Sequence, residues 1–203
     1  MRLPSKLLLA SANPAKAREL AEVLAARLGG DVELVPRPAD VPEVAEDQPD
    51  FEGNARLKAV ALCGATGQAA LADDSGLEVD ALDGRPGVRS ARFAGESADD
   101  AANVSKLLSE LGELGAGDPG RRARFRCVIV VVAPDGGELV ASGTVEGTIA
   151  AQQRGESGFG YDPVFVPDDG DGRTFAEMTS DEKHSISHRG RALSELAGQF
   201  TIP

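Results

Sequence analysis

The run KLLLASANPAKARELAEVLAARL, residues 6–28, changes its periodicity once. Residues 6–10 are a short apolar run suited to a buried strand, and residues 11–15 are a polar break containing Pro14. From Lys16 onward Leu20, Val23, Leu24 and Leu28 recur at helical spacing, until Gly29 and Gly30 stop the pattern. A buried strand that turns straight into an amphipathic helix is the first half of a βαβ unit. Val32, Leu34 and Val35 supply its second strand.

The same alternation continues outward. Residues 36–50 read as a loop rich in proline and acids, and residues 51–65 as a helix despite Gly53. Residues 69–72 form another short buried strand, ending at Asp73 and Asp74. Leu77, Val79 and Ala81 alternate with polar residues, as in a half-buried strand. Residues 84–95 are a loop carrying Arg85, Arg89 and Arg92, and residues 98–111 an amphipathic helix with Val104, Leu107, Leu108 and Leu111 on one side. Residues 122–133 and 138–150 are long strand patterns joined by the turn Pro134-Asp135-Gly136-Gly137, hence a hairpin. Residues 155–167 are rich in glycine and aromatics, Thr179 with Glu182 forms a capping box, and a last helix covers residues 188–198. The order β-α-β-α-β-β-α-β-β-α predicts an α/β fold. Its mixed sheet is parallel early and antiparallel in the hairpin, within one domain over residues 1–203.

Bulk properties narrow the partners. The formal net charge of -12 gives no long-range attraction to nucleic acid or anionic lipid. A phosphate-bearing ligand needs local cations, backbone N–H groups or a metal to override that field. Cys63 and Cys127 each sit in an apolar run outside any CxxC pattern, which reads as two reduced core thiols and, by default, the cytoplasm. Arg2, Lys6, the leucines at 7–9 and Ala10-Ser11-Ala12 mimic a signal peptide. The apolar stretch is shorter than the roughly 7–15 residues such a segment needs, and no run is long enough to cross a bilayer.

Five segments could carry chemistry. Ser11-Ala12-Asn13-Pro14-Ala15-Lys16 stands at a helix N-terminus, whose N–H groups and dipole suit phosphate, although it also reads as an ordinary capped helix start. It lacks the glycine pattern of a P-loop. Asp73-Asp74-Ser75-Gly76 follows an apolar strand, at the sheet end where α/β folds bind ligands. Carboxylates there suit Mg²⁺ and can activate a water, while the same residues are good turn formers. Glu46 is one acid among several in its loop. In Gly158-Phe159-Gly160-Tyr161-Asp162-Pro163 the glycines permit close approach and an aromatic face could stack on a base; the alternative is a tight loop with its rings in the core. Lys183 to Arg189 gathers cations and hydroxyls around a helix start. It includes the chain's two histidines, His184 and His188, at a spacing that does not suit zinc.

Taken in order, these segments resemble the inosine triphosphate pyrophosphatase family, whose members act on unusual purine nucleoside triphosphates. The matching segments are Ser11 to Lys16, Phe51-Glu52-Gly53-Asn54-Ala55 with Lys58-Ala59, LADDSGL (71–77), residues 87–95 with Ser90-Ala91-Arg92-Phe93, GFGYDP (158–163) and SHRG (187–190). The resemblance covers essentially the whole chain. It implies an elongated α/β fold of two lobes with a nucleotide in the cleft between them, a homodimer, and Mg²⁺ as cofactor. It also implies that Ser11, Ala12, Asn13, Pro14, Ala15 and Lys16 bind substrate, with Asn13 and Lys16 on the phosphates. Glu46 and Asp74 would bind the metal, and Asp74 would also accept the proton of the attacking water. Ser75 would touch the substrate, Phe159, Gly160, Tyr161 and Asp162 would hold the base, and Lys183, His188 and Arg189 would complete the site. Two positions depart from the family pattern: Ala12 replaces a usual glycine, and in the second motif the acid stands at Glu52 rather than at Gly53.

The reaction expected is Mg²⁺-assisted hydrolysis between the α- and β-phosphates, with Lys16 and Lys183 offsetting phosphate charge. Selectivity would come from the purine six position, where inosine and xanthosine present a carbonyl acceptor and adenosine an amino donor. Donors from His188 or Arg189 would face that oxygen. Such mismatches discriminate by up to about 10⁴–10⁵-fold. The competing readings are a nucleotide pyrophosphatase of different base specificity and a non-catalytic nucleotide-binding module.

Overall fold

The computed structural model describes residues 5–11, 13–28, 32–115 and 117–199. Its strands are β1 (Lys6–Leu9), β2 (Glu33–Pro36), β3 (Ala70–Val79), β4 (Arg122–Val132), β5 (Glu138–Ile149) and β6 (Phe165–Pro167). Its helices are α1 (Pro14–Leu28), α2 (Phe51–Thr66), α3 (Asp100–Glu113), α4 (Ser180–Ile186) and α5 (His188–Gly198). The strands make a six-stranded mixed sheet in the order β2-β1-β3-β4-β5-β6, flanked by the helices. β1 pairs in parallel with both β2 and β3, and β6 runs antiparallel to β5. β4 and β5 are neighbours joined by the expected turn, where the Ala133 N–H donates to the Gly137 carbonyl at 2.8 Å.

The chain divides into two compact units, Met1–Asp74 with Cys127–Gly143 and Arg189–Pro203, and Ser75–Arg126 with Thr144–His188. Each has its own core. In the first, Leu7 and Leu9 of β1 pack with Leu20, Val23 and Leu24 of α1 and Leu193 and Leu196 of α5. Leu8, between them in sequence, packs on the opposite face with Leu62 and Cys63 of α2. Successive side chains of a strand point to opposite faces, so β1 must be apolar on both, as its three leucines after the exposed Lys6 are. In the second unit Leu77, Val79, Val104, Leu107, Leu111 and four phenylalanines share one core. There Phe125 meets Phe165 at 4.7 Å and Phe165 meets Phe175 at 5.2 Å between ring centroids.

Several expectations are corrected. The two short strands expected around Asp73 and Asp74 are one ten-residue strand, β3, and the acids lie in its middle, 2% and 4% exposed, rather than in a turn. Polar residues at those positions look like a strand end, but each stands near a cation or amide described below. Ala81 leaves the strand and lies in a 3₁₀ turn, Asp80–Leu82. β6 was not expected: three residues carry too little pattern to read. α1 begins at Pro14, two residues before the periodic pattern does, because proline suits a first helical position. Ala12, Gly29 and Gly30 lie outside the described residues. Both cysteines are unpaired and buried, and burial pushes both thiols up, away from the reactive thiolate.

Candidate active site

The first unit gathers a compact set of opposite charges around β3. At the start of α1 the Asn13 Oδ1 accepts the N–H groups of Ala15 and Lys16 at 2.9 and 3.1 Å, and Ser11 Oγ accepts the Asn13 N–H at 3.3 Å. The helix start is therefore a capped one, and the Asn13 side chain keeps its amide Nδ2 as the donor it could offer a phosphate. Lys16, the third residue of the helix, places its Nζ 3.8 Å from Asp73 Oδ2. From α5, Arg189 places its Nε 3.8 Å from the same oxygen and its Nη1 2.9 Å from Glu19 Oε2. Arg189 is 3% exposed, so this guanidinium is held inside the unit by two carboxylates.

Asp74 lies next to this cluster on β3. Its Oδ2 accepts from Asn54 Nδ2 at 3.1 Å, and its Oδ1 stands 3.6 Å from Lys58 Nζ. Lys58 also donates to Glu46 Oε1 at 2.9 Å, so one ammonium joins the two acids that the family resemblance marks for metal. α2 brings Asn54 and Lys58 to this point together, because residues four apart share a helix face. Asn54 works at both ends: its Oδ1 accepts the Gln48 N–H at 3.0 Å and so ties the loop that carries Glu46 to the helix that touches Asp74. Gly53 has a structural reason here, since a Cβ at that position would stand 2.9 Å from the Gln48 Cβ. Burial raises the Asp74 carboxyl above its ordinary value, more than Lys58 and Lys16 lower it. Burial pulls the Lys58 ammonium down, but Asp74, Asp73 and Glu46 together lift it above its ordinary value. The site thus favours a cation at its centre and penalises a second bare negative charge.

The donor set suits a hard divalent cation. Two carboxylates converge on one ammonium, and Mg²⁺ is commonly held by one or two carboxylates with water and phosphate oxygens completing its shell. Among the described residues no three of His, Cys, Asp and Glu gather as a closed metal cage.

The second unit builds the other set. Gly158 adopts φ +78°, and a Cβ there would run into the Asp162 carboxylate, so only glycine permits this turn. Asp162 Oδ2 accepts the Phe159 N–H at 2.9 Å and Lys183 Nζ at 2.8 Å. Lys183 Nζ also stands 5.1 Å from the Phe159 ring centroid, a cation–π distance. Tyr161 is a core residue, 4% exposed, donating its hydroxyl to the Ser90 carbonyl at 2.9 Å, and burial pushes that hydroxyl up. His188 is 2% exposed and stacks on Phe125 at 4.7 Å and 10°. Ser75 is the half-buried residue of β3 that follows Asp74.

The structure thus brings Lys16, Glu46, Asp74 and Arg189 together in the first unit, and Phe159, Asp162 and Lys183 together in the second. Sequence reasoning gave no role to Lys58, Asn54 and Glu19, which together with Asp73, read there only as part of the Asp73-Asp74-Ser75-Gly76 segment, are the immediate partners in the first set. Lys58 and Asn54 stood inside a matching motif, the one signal that could have found them. Glu19 looked like any surface acid of an amphipathic helix.

Comparisons with known proteins agree with this architecture. The model of the Ham1 family matches residues 7–199. A dITP/XTP pyrophosphatase of Bacillus subtilis (strain 168) is 47% identical over 197 residues, covering 97% of this chain and 98% of that protein. The structure of a HAM1 protein from Coxiella burnetii superposes with a TM-score of 0.85 at 39% identity, covering 96% of this chain and 98% of that one. That of a nucleoside-triphosphatase / dITP/XTP pyrophosphatase from Mycobacterium abscessus gives 0.74 at 48% identity, covering 94% and 98%. A family match over nearly every described residue, together with relatives of this identity along their full length, establishes that the chain belongs to the Ham1 family.

Proposed function

We propose that this protein hydrolyses unusual purine nucleoside triphosphates, ITP, dITP and XTP, to the monophosphate and pyrophosphate with the help of Mg²⁺. The observation that carries the reading is the pair Asp74 and Glu46, joined by Lys58 and bordered by Lys16 and Arg189, in a chain of net charge -12. Such a cluster gives a triphosphate local cations where the global field gives none. Bound Mg²⁺, held by Glu46 and Asp74, would supply charge neutralisation for the phosphates. Asp74 would take the proton of the attacking water, a role its raised carboxyl suits better than an ordinary aspartate. Lys16 and Lys58 would offset negative charge on the departing pyrophosphate, and Asn54 would hold the Asp74 carboxylate in one orientation.

For the base, Phe159 would offer a stacking face. Lys183 and Asp162 stand side by side as donor and acceptor, so Lys183 belongs with base recognition rather than with the phosphates. Hypoxanthine and xanthine present an O6 acceptor beside an N1–H donor, the complement of that pair, whereas adenine presents the reverse. Lys183, whose Nζ stands 5.1 Å from the Phe159 ring centroid and beside Asp162, is the first candidate to face O6. A homodimer and a cytoplasmic location belong to the same proposal. Light scattering tests the first; the two unpaired buried thiols support the second. Among the described residues no helix is long and apolar enough to cross a membrane.

Pyrophosphate release from ITP, XTP, dITP, ATP and GTP, with Mg²⁺ and with EDTA, tests the reading. Metal-dependent release from the first three and little from ATP is the expected result. Equal rates on all five would remove the base argument and keep the enzyme. No release from any would point to a binding module.

A further inference from the structure

The loop at 158–163 is fastened from outside by a residue that neither the family motifs nor the charge pattern singles out. Asp100, in the first turn of α3, accepts the Gly160 N–H on its Oδ2 at 2.7 Å. Asp100 is not needed as the cap of its own helix, because Asp99 fills that position and accepts the Ala102 N–H at 2.8 Å. Gly160 has φ +62°, a left-handed turn directly after Phe159. The consecutive N–H groups of this turn go to different carboxylates, Phe159 to Asp162 within the loop and Gly160 to Asp100 across from it. The side-chain ties of Tyr161 to Ser90 and of Asp162 to Lys183 are buried, and the later backbone of the loop is tied by the Ala176 N–H donating to the Asp162 carbonyl at 3.2 Å and the Arg154 N–H donating to the Pro163 carbonyl at 2.9 Å; the Asp100 tie holds the turn at Gly160 and is exposed to solvent.

We propose that Asp100 is a positioning residue for base selection. By accepting the Gly160 N–H it fixes the turn between the Phe159 ring and the Asp162 carboxylate, and so sets the distance between the stacking face and the edge-reading group. The assignment rests on the reading of residues 158–163 as the base-holding loop. Asp100 bonds the Gly160 N–H of the base-holding loop, so in this assignment its loss acts on base binding and not on bond cleavage. A charge-assisted hydrogen bond to a backbone donor is strong for its kind, and exposure moderates it, so the effect is about tenfold or less.

The test compares wild type, Asp100→Ala and Asp100→Asn in steady-state turnover of ITP and ATP. It adds amide hydrogen exchange of the peptide containing Gly160 in the nucleotide-free proteins. Asp100→Ala is expected to raise KM for ITP about five- to tenfold with kcat within about twofold, and to narrow the preference for ITP over ATP. Exchange at Gly160 is expected to accelerate while α3 stays protected. Asp100→Asn keeps an acceptor oxygen and is expected to restore KM to within about twofold of wild type. Should Asp100→Ala precipitate, Asp100→Asn decides alone: a KM near wild type supports the assignment and a tenfold rise overturns it. An unchanged KM in Asp100→Ala, or a fall in kcat alone, also overturns it while leaving the pyrophosphatase reading intact. A wild type inactive on ITP, dITP and XTP overturns that reading and this assignment with it.

Discussion

Asp74 is held in a compromise between folding and chemistry. A carboxylate 4% exposed on a central strand is costly, and the Asn54 amide and Lys58 ammonium return only part of that cost. Asp74→Asn should therefore reduce turnover by about 10²–10⁴-fold without unfolding the protein. In EDTA its Tm should equal or exceed that of wild type, since a buried charge has been removed. Added Mg²⁺ should raise the wild-type Tm and leave the variant nearly unmoved. The pH dependence has a definite sign. The folded chain releases the Asp74 proton at higher pH than the unfolded chain, whose ordinary value is 3.8. Raising the pH through the interval above that value therefore favours the unfolded state. In EDTA the stability of Asp74→Asn relative to wild type should grow as the pH rises above about 4. Thermal melts of both proteins across that range check it, and a constant difference would mean that burial does not raise this carboxyl. How much of the site could be read from sequence divides along the same line. Asp74, Glu46 and Lys16 stand in recognisable segments. Asp73 stands in the same segment as Asp74, but Glu19 becomes meaningful only when folding brings Arg189 against it from 170 residues away.

At the scale of the element, the start of α2 decides where Glu46 stands. Asp50 caps the helix by accepting the Gly53 N–H at 2.7 Å, and Gln48 donates its N–H to Asn54. Asp50→Ala should cost about 1 kcal/mol of stability, the usual value of such a cap, measured by urea unfolding. Gly53→Ala is the more telling change. In an open helix it would gain roughly 0.5–1 kcal/mol. Here its Cβ would meet Gln48, whose own Cβ stands too near the backbone to swing away, so the loop itself must shift. The expected outcome is no gain in stability and a weaker Mg²⁺-induced rise in Tm, because the shifted loop carries Glu46. A full helix-propensity gain with unchanged metal response would show that the loop yields at no cost. The helices and long strands were legible in sequence because their periodicity extends over three or more turns or pairs, as in α3 and the β4–β5 hairpin. β3 was misread for a physical reason: alternation treats buried acids as breaks, whereas paired with Lys16, Lys58 and Arg189 they remain in the ladder. β6 spans three residues, Phe165–Pro167, which is below what any period can reveal.

At the scale of the whole molecule, the proposed substrate is an anion and so is the protein. A net charge of -12 repels a nucleoside triphosphate at long range, while in the proposed site Lys16 and Lys58 would attract it at contact. Salt separates the two effects, because the Debye length of about 10 Å at about 0.1 M ionic strength screens the distant repulsion far more than a contact pair within a half-buried site. The association rate of an inosine triphosphate should therefore rise when KCl goes from about 20 mM to about 200 mM at constant free Mg²⁺, the reverse of a nucleic-acid-binding protein, whose affinity falls steeply over such a range. Stopped-flow mixing with a fluorescent inosine triphosphate analogue measures it directly. A rate that increases with salt in wild type, and increases further in Lys16→Met as the local attraction weakens, would place the repulsion in the global charge and the capture in the cluster around β3. A rate that falls with salt would mean that the local cations govern the approach as well as the contact, and that the acidic surface is too distant from the route of entry to matter.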